Sequence, residues 1–292
     1  MHSRPSHPPS PTDWSALLPD EDYRFSMRFH REPAEQFFGP TTVRAEVLAQ
    51  RARWLDEPPG RCAAVTTRAR PLLLELAALT RDWLGIDVPE SSDDLTLCQA
   101  LGRQLEPDFL LLQPDVGGAI RLDAACICFP SSWSLAEKIG QSVESIHGAV
   151  PRLNAQAGTP IQQFLERLQP GPAWRRANWG LGRSPEWNQH SDRDLPRLDA
   201  TVTAGEVWLR VEHQAFVRLT GHGVLFGIRL SVHPLAELLP IPEARRGLQR
   251  ALRTMPDDVA AYKGIAPARE KLLSWVREQA LSRDELPQEE QG

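Results

Sequence analysis

Glu206-Val207-Trp208-Leu209-Arg210-Val211-Glu212-His213-Gln214-Ala215-Phe216-Val217-Arg218-Leu219, then Thr220-Gly221-His222-Gly223, then Val224-Leu225-Phe226-Gly227-Ile228-Arg229-Leu230-Ser231-Val232 decides the fold class. Successive strand residues point to opposite faces. Val207, Leu209 and Val211 therefore share one face, and Trp208, Arg210 and Glu212 share the other. The same alternation puts His213 on the apolar face. On the return, Val224, Phe226, Ile228, Leu230 and Val232 line one face and Arg229 the other. Two such runs around a Gly-rich turn read as an antiparallel β-hairpin.

Upstream, Phe109–Gln113 and Ala119–Phe129 read as two further strands joined at Pro114-Asp115-Val116-Gly117-Gly118. Ser134-Leu135-Ala136-Glu137 matches a capping box, which predicts a helix running to Ile146 or His147 before Pro151. Leu135, Ile139, Val143 and Ile146 would form its apolar face, with His147 beside it. Helices are also predicted over Thr41–Leu55, Ala69–Trp83, Ser91–Leu105 and Thr159–Leu168, and from about Pro242 to Leu281 with breaks near Pro256 and Pro267. Trp14–Phe38 shows aromatics without a period and reads as an irregular wrap. Pro170–Pro196, rich in Trp, Pro, Arg and Asn, reads as a long functional loop. The class is α+β: a central antiparallel sheet with an embedded helix, flanked by N- and C-terminal helices, over residues 13–283. Residues 1–12 read as a disordered tail and 284–292 as a frayed one.

Composition narrows the function classes. The chain has 292 residues, 41% hydrophobic and 24% charged, enough to bury a sizeable core. No apolar run reaches the length of a membrane span, and the Pro- and Ser-rich N-terminus has no signal-peptide core, so a cytoplasmic protein without a membrane partner is expected. A net charge of −5 argues against nucleic acid as partner. The four cysteines have no metal-ligand spacing and read as buried free thiols. Signatures for dinucleotide, P-loop, nucleophile-elbow and HExxH zinc sites are absent. From the residues alone, His147 reads either as a helix C-terminal cap or as a ligand beside an apolar face. His213 reads as a half-buried histidine bonded to a neighbour, or as a second ligand.

An ordered set of motifs adds a family resemblance. Cys128-Phe129-Pro130-Ser131-Ser132-Trp133, Glu137-Lys138-Ile139-Gly140 and Ile146-His147-Gly148-Ala149-Val150-Pro151 resemble the signature of the haem-dependent oxidative N-demethylase α subunits. Asn178-Trp179, Leu209-Arg210-Val211-Glu212-His213-Gln214, Phe226-Gly227-Ile228-Arg229 and Tyr262-Lys263-Gly264 resemble later elements of that family, in the same order. Two positions depart from it: His213 stands where Arg is more usual, and Gln113-Pro114-Asp115 stands where an acidic pair is more usual.

The resemblance implies a PAS-like sheet holding haem b, with no flavin, nicotinamide or iron–sulfur site in this chain. The reaction implied is O2-dependent removal of a methyl group from a small, dimethylamine-like amine, releasing formaldehyde. Electrons would come from a separate flavin and iron–sulfur reductase. On this view His147 is the axial iron ligand, and His213 a distal donor or rival ligand across the same haem. Glu212 is a counter-charge for the ammonium, with Asp115 the next choice. Arg176, Arg210 and Arg229 are partners for haem propionates, and Trp133 and Trp179 are pocket walls. The competing reading is a PAS-like haem or small-molecule sensor, or a homologue that binds without turnover.

Overall fold

Seven strands form one antiparallel sheet in the order β1-β5-β6-β7-β3-β4-β2. They are β1 (His30–Pro33), β2 (Ala63–Val65), β3 (Asp108–Pro114), β4 (Ile120–Cys126), β5 (Pro172–Gly182), β6 (Trp208–Arg218) and β7 (Val224–Pro234). The computed structural model describes residues 13–57, 61–89 and 91–284. Both predicted tails lie outside the described residues, except Asp284 at the end of the last helix. No helix among the described residues is long and apolar enough to cross a membrane.

The 206–232 hairpin forms with Glu212 opposite Leu230 and His213 opposite Arg229. That register sets the apolar side of β6 and the apolar side of β7 on opposite faces of the sheet. Such an arrangement is stable only where both faces are covered, and they are. One face packs on the N-terminal helices Arg44–Leu55, Arg70–Leu84 and Asp94–Gln104 and on the C-terminal helices Pro242–Thr254 and Arg269–Asp284. Leu209, Val211, Ala215 and Val217 of β6 point there. The other face carries Phe216, Phe226, Leu110, Leu112 and Leu122, and packs on the chain inserted between β4 and β5.

Two sequence expectations are corrected. Pro170–Pro196 is not a loop throughout, because its first half is β5, paired along its length with β6. The helix expected from Ser134 does not run through. Ser134 makes no capping hydrogen bond, a 3-10 turn covers only Leu135–Glu137, and Gly140 takes φ +76°, which ends it. Ser142 is the working cap: its Oγ accepts from Ser145 N, and a short helix follows over Val143–Gly148. The Trp14–Phe38 wrap contains short helices at Trp14–Leu17 and Ala34–Phe38 with β1 between.

A buried ion pair anchors the chain that leaves β4. Arg51, fully buried, donates through Nη1 to Asp108 (2.5 Å), through Nε to the Gly102 carbonyl (2.6 Å) and through Nη2 to Cys126 Sγ (3.2 Å). Asp108 also accepts from the backbone N–H groups of Cys128 (2.7 Å) and Phe129 (3.0 Å). The four cysteines are free and buried. Cys126 and Cys128 both turn toward Arg51.

A half-buried trough on the sheet as the candidate haem site

The covered face of β5 and β6 opens in its middle. At one end an aromatic cluster closes it: Phe29 stacks on Phe164 (4.1 Å), Phe216 on Phe226 (4.4 Å), and Trp174 meets Phe164 edge-on. At the other end Phe129–Ser131 lies over Arg210. Between them are the rows Arg176–Gln214–Ile228 and Asn178–Glu212–Leu230. Asn178 is exposed and Arg176, Glu212, Ile228 and Leu230 are only half-buried, although β6 and β7 are interior strands. A side chain at Gly180 would meet nothing within 4 Å. Interior strands showing this much uncovered surface form a trough floored by the sheet.

Its polar groups are organised around Glu212. Ser131 Oγ donates to Glu212 Oε1 (2.8 Å), and Gln214 Nε2 (3.0 Å) and Asn178 Nδ2 (3.4 Å) donate to Oε2. Arg210 fixes Ser131 in turn, donating through Nε to Ser131 Oγ (2.8 Å) and through Nη2 to the Phe129 carbonyl (2.6 Å). Burial pulls the Arg210 guanidinium down to about 10, against the attraction of Glu212 and Asp108. Arg176 donates through Nε to Gln214 (2.7 Å) and through Nη1 to the Ser26 carbonyl (2.9 Å), with no carboxylate in ion-pair range.

His147 ends the Val143–Gly148 helix beside Ile146, which packs with Trp133 in the same apolar layer. Its imidazole makes no hydrogen bond to another described residue. Burial, the Arg176 guanidinium and the Lys138 ammonium depress it to about 4, so it is neutral at pH 7 with a free lone pair. A half-buried neutral imidazole, an apolar wall and an unpaired guanidinium over a flat floor fit a haem carrying carboxylates.

The remaining candidates fall elsewhere. His213 lies on the opposite face of the sheet, so His147 and His213 do not face each other across one ligand. His213 Nε2 and His233 Nε2 both meet Ser231 Oγ, at 3.1 and 3.0 Å. Burial, then Arg175, His233 and Arg229, depress His213 to about 4. Arg229 shares that far face and is committed to Glu106 (2.7 Å) and to the Phe37 and Gly39 carbonyls. Arg210 is spent on holding the 129–131 segment. Of the three arginines expected at propionates, Arg176 alone retains donor capacity toward the trough. Trp179 also turns to the far face, against Tyr23. Asp115 closes the β3–β4 turn, accepting from Gly117 N, Ala119 N and Arg121. A surface cleft of about 500 Å³ between Arg31, Glu35 and Pro172 is open to solvent and holds none of these groups.

Comparison with known families supplies the decisive observation. The family model described as haem-dependent oxidative N-demethylase, alpha subunit-like, matches residues 47–273. The chain belongs to this family. The match covers more than three-quarters of the sequence and includes His147, Arg176, Arg210, Glu212 and Lys263. Membership in the haem-dependent demethylase family accords with a site that offers a free imidazole and an unpaired cation. Sequence reasoning gave no place to one cation beside the trough. Lys263, in the loop after the Asp257–Tyr262 helix, donates through Nζ to the Trp179 carbonyl (2.7 Å) at the edge of β5. The Tyr262-Lys263-Gly264 motif was its signal, but nothing in the sequence relates that loop to β5.

Proposed function

We propose that this chain is the oxygen-activating component of an amine N-demethylase. It would bind haem b in the trough and release formaldehyde from a small, dimethylamine-like amine, with electrons supplied by a separate flavin and iron–sulfur reductase. The observation that carries the reading is the free, neutral imidazole of His147 over a half-covered sheet floor that holds Glu212. The strand order supports a PAS-like haem domain: β4-β3-β7-β6-β5 are adjacent, with the helical insertion between β4 and β5.

Haem, when bound, supplies O2 activation and redox chemistry. The chain's own residues have separable tasks. His147 offers a lone pair from a ring that burial keeps unprotonated. Glu212, held by Ser131, Asn178 and Gln214, presents a fixed negative charge to a substrate ammonium, and a buried cation requires such a partner. The Phe29, Phe164, Phe216 and Phe226 cluster excludes water from one end of the trough. Arg176 offers a guanidinium to a cofactor carboxylate.

The test is a haem titration followed by a turnover assay. A Soret band saturating at one haem per chain is expected, then amine-dependent formaldehyde release with a competent reductase. A chain that binds no haem defeats the proposal; haem binding without turnover of any methylamine moves the chain to the sensor or degenerate class.

A further inference from the structure

Lys263 stands out among the groups that the proposed function leaves unassigned. Its ammonium carries three donors, and one of them serves the Trp179 carbonyl. It also lies 5.5 Å from the centre of the Trp179 ring. No carboxylate of a described residue lies within ion-pair range of it. Glu212 attracts it from a distance, but that carboxylate already accepts from Ser131, Gln214 and Asn178. Burial lowers the ammonium to about 8, which marks a charge set aside from water without a full partner. A charge so placed is costly unless a counter-ion arrives.

Arg176, on the strand whose carbonyl Lys263 holds, is in the same condition. It stands two residues before Asn178, and the carbonyl that Lys263 holds stands one residue after it. Two under-partnered cations thus flank Asn178 along β5, Arg176 on the trough face and Lys263 at the strand edge beside Trp179, where the Glu212 carboxylate still attracts it. The wall that carries Lys263 is tied to the wall that carries His147, because Arg152 Nε donates to Asp258 (2.7 Å). A ligand lying between these walls meets both cations along one edge. The pattern suits a ligand with two carboxylates on one side and an apolar plane on the other.

We infer that Lys263 is a carboxylate-binding residue of the trough, paired with Arg176 and receiving one propionate of the haem. The inference rests on the haem reading above and extends it to a residue outside the arginine set.

The experiment compares two porphyrins on two proteins. Haem and its dimethyl ester, which lacks both carboxylate charges, are titrated into the wild-type chain and Lys263→Gln, following the Soret band. Gln removes the charge and offers an amide donor, one bond shorter, toward the Trp179 carbonyl. Haem affinity should fall at least tenfold in Lys263→Gln, while affinity for the ester stays within about twofold of wild type. An equal loss for both porphyrins would show that Lys263 only braces β5 and overturns the inference, as would no loss for either. Should Lys263→Gln not fold, Lys263→Arg provides a second reading. The propionate bending vibration in the resonance Raman spectrum must shift between wild type and Lys263→Arg, and an unchanged band refutes the contact. A wild-type chain that takes up neither porphyrin defeats the haem reading itself, which separates that failure from failure at Lys263 alone.

Discussion

Replacing Arg51 with Met tests how the core supports the site. The substitution keeps an apolar stem of similar length and removes the guanidinium. Asp108 then loses its ion pair and keeps the Cys128 and Phe129 N–H groups, and the Gly102 carbonyl loses its donor. Breaking one side of a buried pair costs about 3–5 kcal/mol, a large share of the roughly 5–15 kcal/mol that holds a typical domain. A carboxyl group has an escape, because it can take up a proton. Burial already raises Asp108 to about 6 with Arg51 beside it, and without Arg51 it rises further. The sign follows from linkage. Above pH 6 the variant's folded state holds a proton that its unfolded state releases, so the variant loses about 1.4 kcal/mol of stability per pH unit. Wild-type Asp108, at about 6, is mostly ionised in both states by pH 7 and contributes little slope from there to pH 8. Urea unfolding at pH 6, 7 and 8 should therefore show a deficit that widens with pH. A deficit below about 1 kcal/mol, or one flat across these pH values, would refute the idea that a desolvated charge pair anchors the 128–131 segment.

Three further outcomes follow from the site. His147→Ala should abolish or severely weaken haem uptake, while His213→Ala, on the far face, keeps uptake and changes stability; the reverse pattern in a Soret titration overturns the assignment of the ligand. Glu212→Gln, at equal haem occupancy, should lower kcat/KM for the amine about 100-fold, or roughly 2.7 kcal/mol, and a formaldehyde assay giving wild-type values would remove Glu212 from the site. The apo chain should lose stability as pH falls from about 6.5 toward 4. His147 and His213 are each depressed to about 4, so over that window the unfolded state binds more protons than the folded one. Melting temperatures constant between pH 6.5 and 4.5 would contradict those burial effects.

What the sequence made legible followed periodicity. The β6–β7 hairpin shows a repeat of two and the long helices one of 3.6, the β3–β4 pair shows apolar runs around a Pro- and Gly-rich turn, and each formed within a few residues of its expected bounds. β5 escaped notice because its trough side carries Arg176, Asn178 and Gly180, and Pro172, Gly180 and Gly182 imitate a loop. A strand that floors a ligand site lacks the apolar stripe by which strands are recognised. The Ser134–Glu137 capping pattern misled for a different reason: Gly140 follows within one turn and takes a left-handed conformation. His147 was identified with its helix end, although the helix begins at Val143 rather than Ser134. Alternation already set His213 opposite Glu212, but which of those two faces the His147 segment covers, and its relation to Arg176, came only with the long-range packing, which no local pattern encodes.

Glu212 and His213 are covalent neighbours, yet the pleat sends their side chains into two separate environments. Substitution energies at these two positions should therefore add, as they do for distant sites. Glu212 and Ser131 stand 81 positions apart in the chain and share a hydrogen bond, so their substitutions should not add. Along β6, proximity in sequence is a poor guide to energetic coupling, and parity along the strand is the better one.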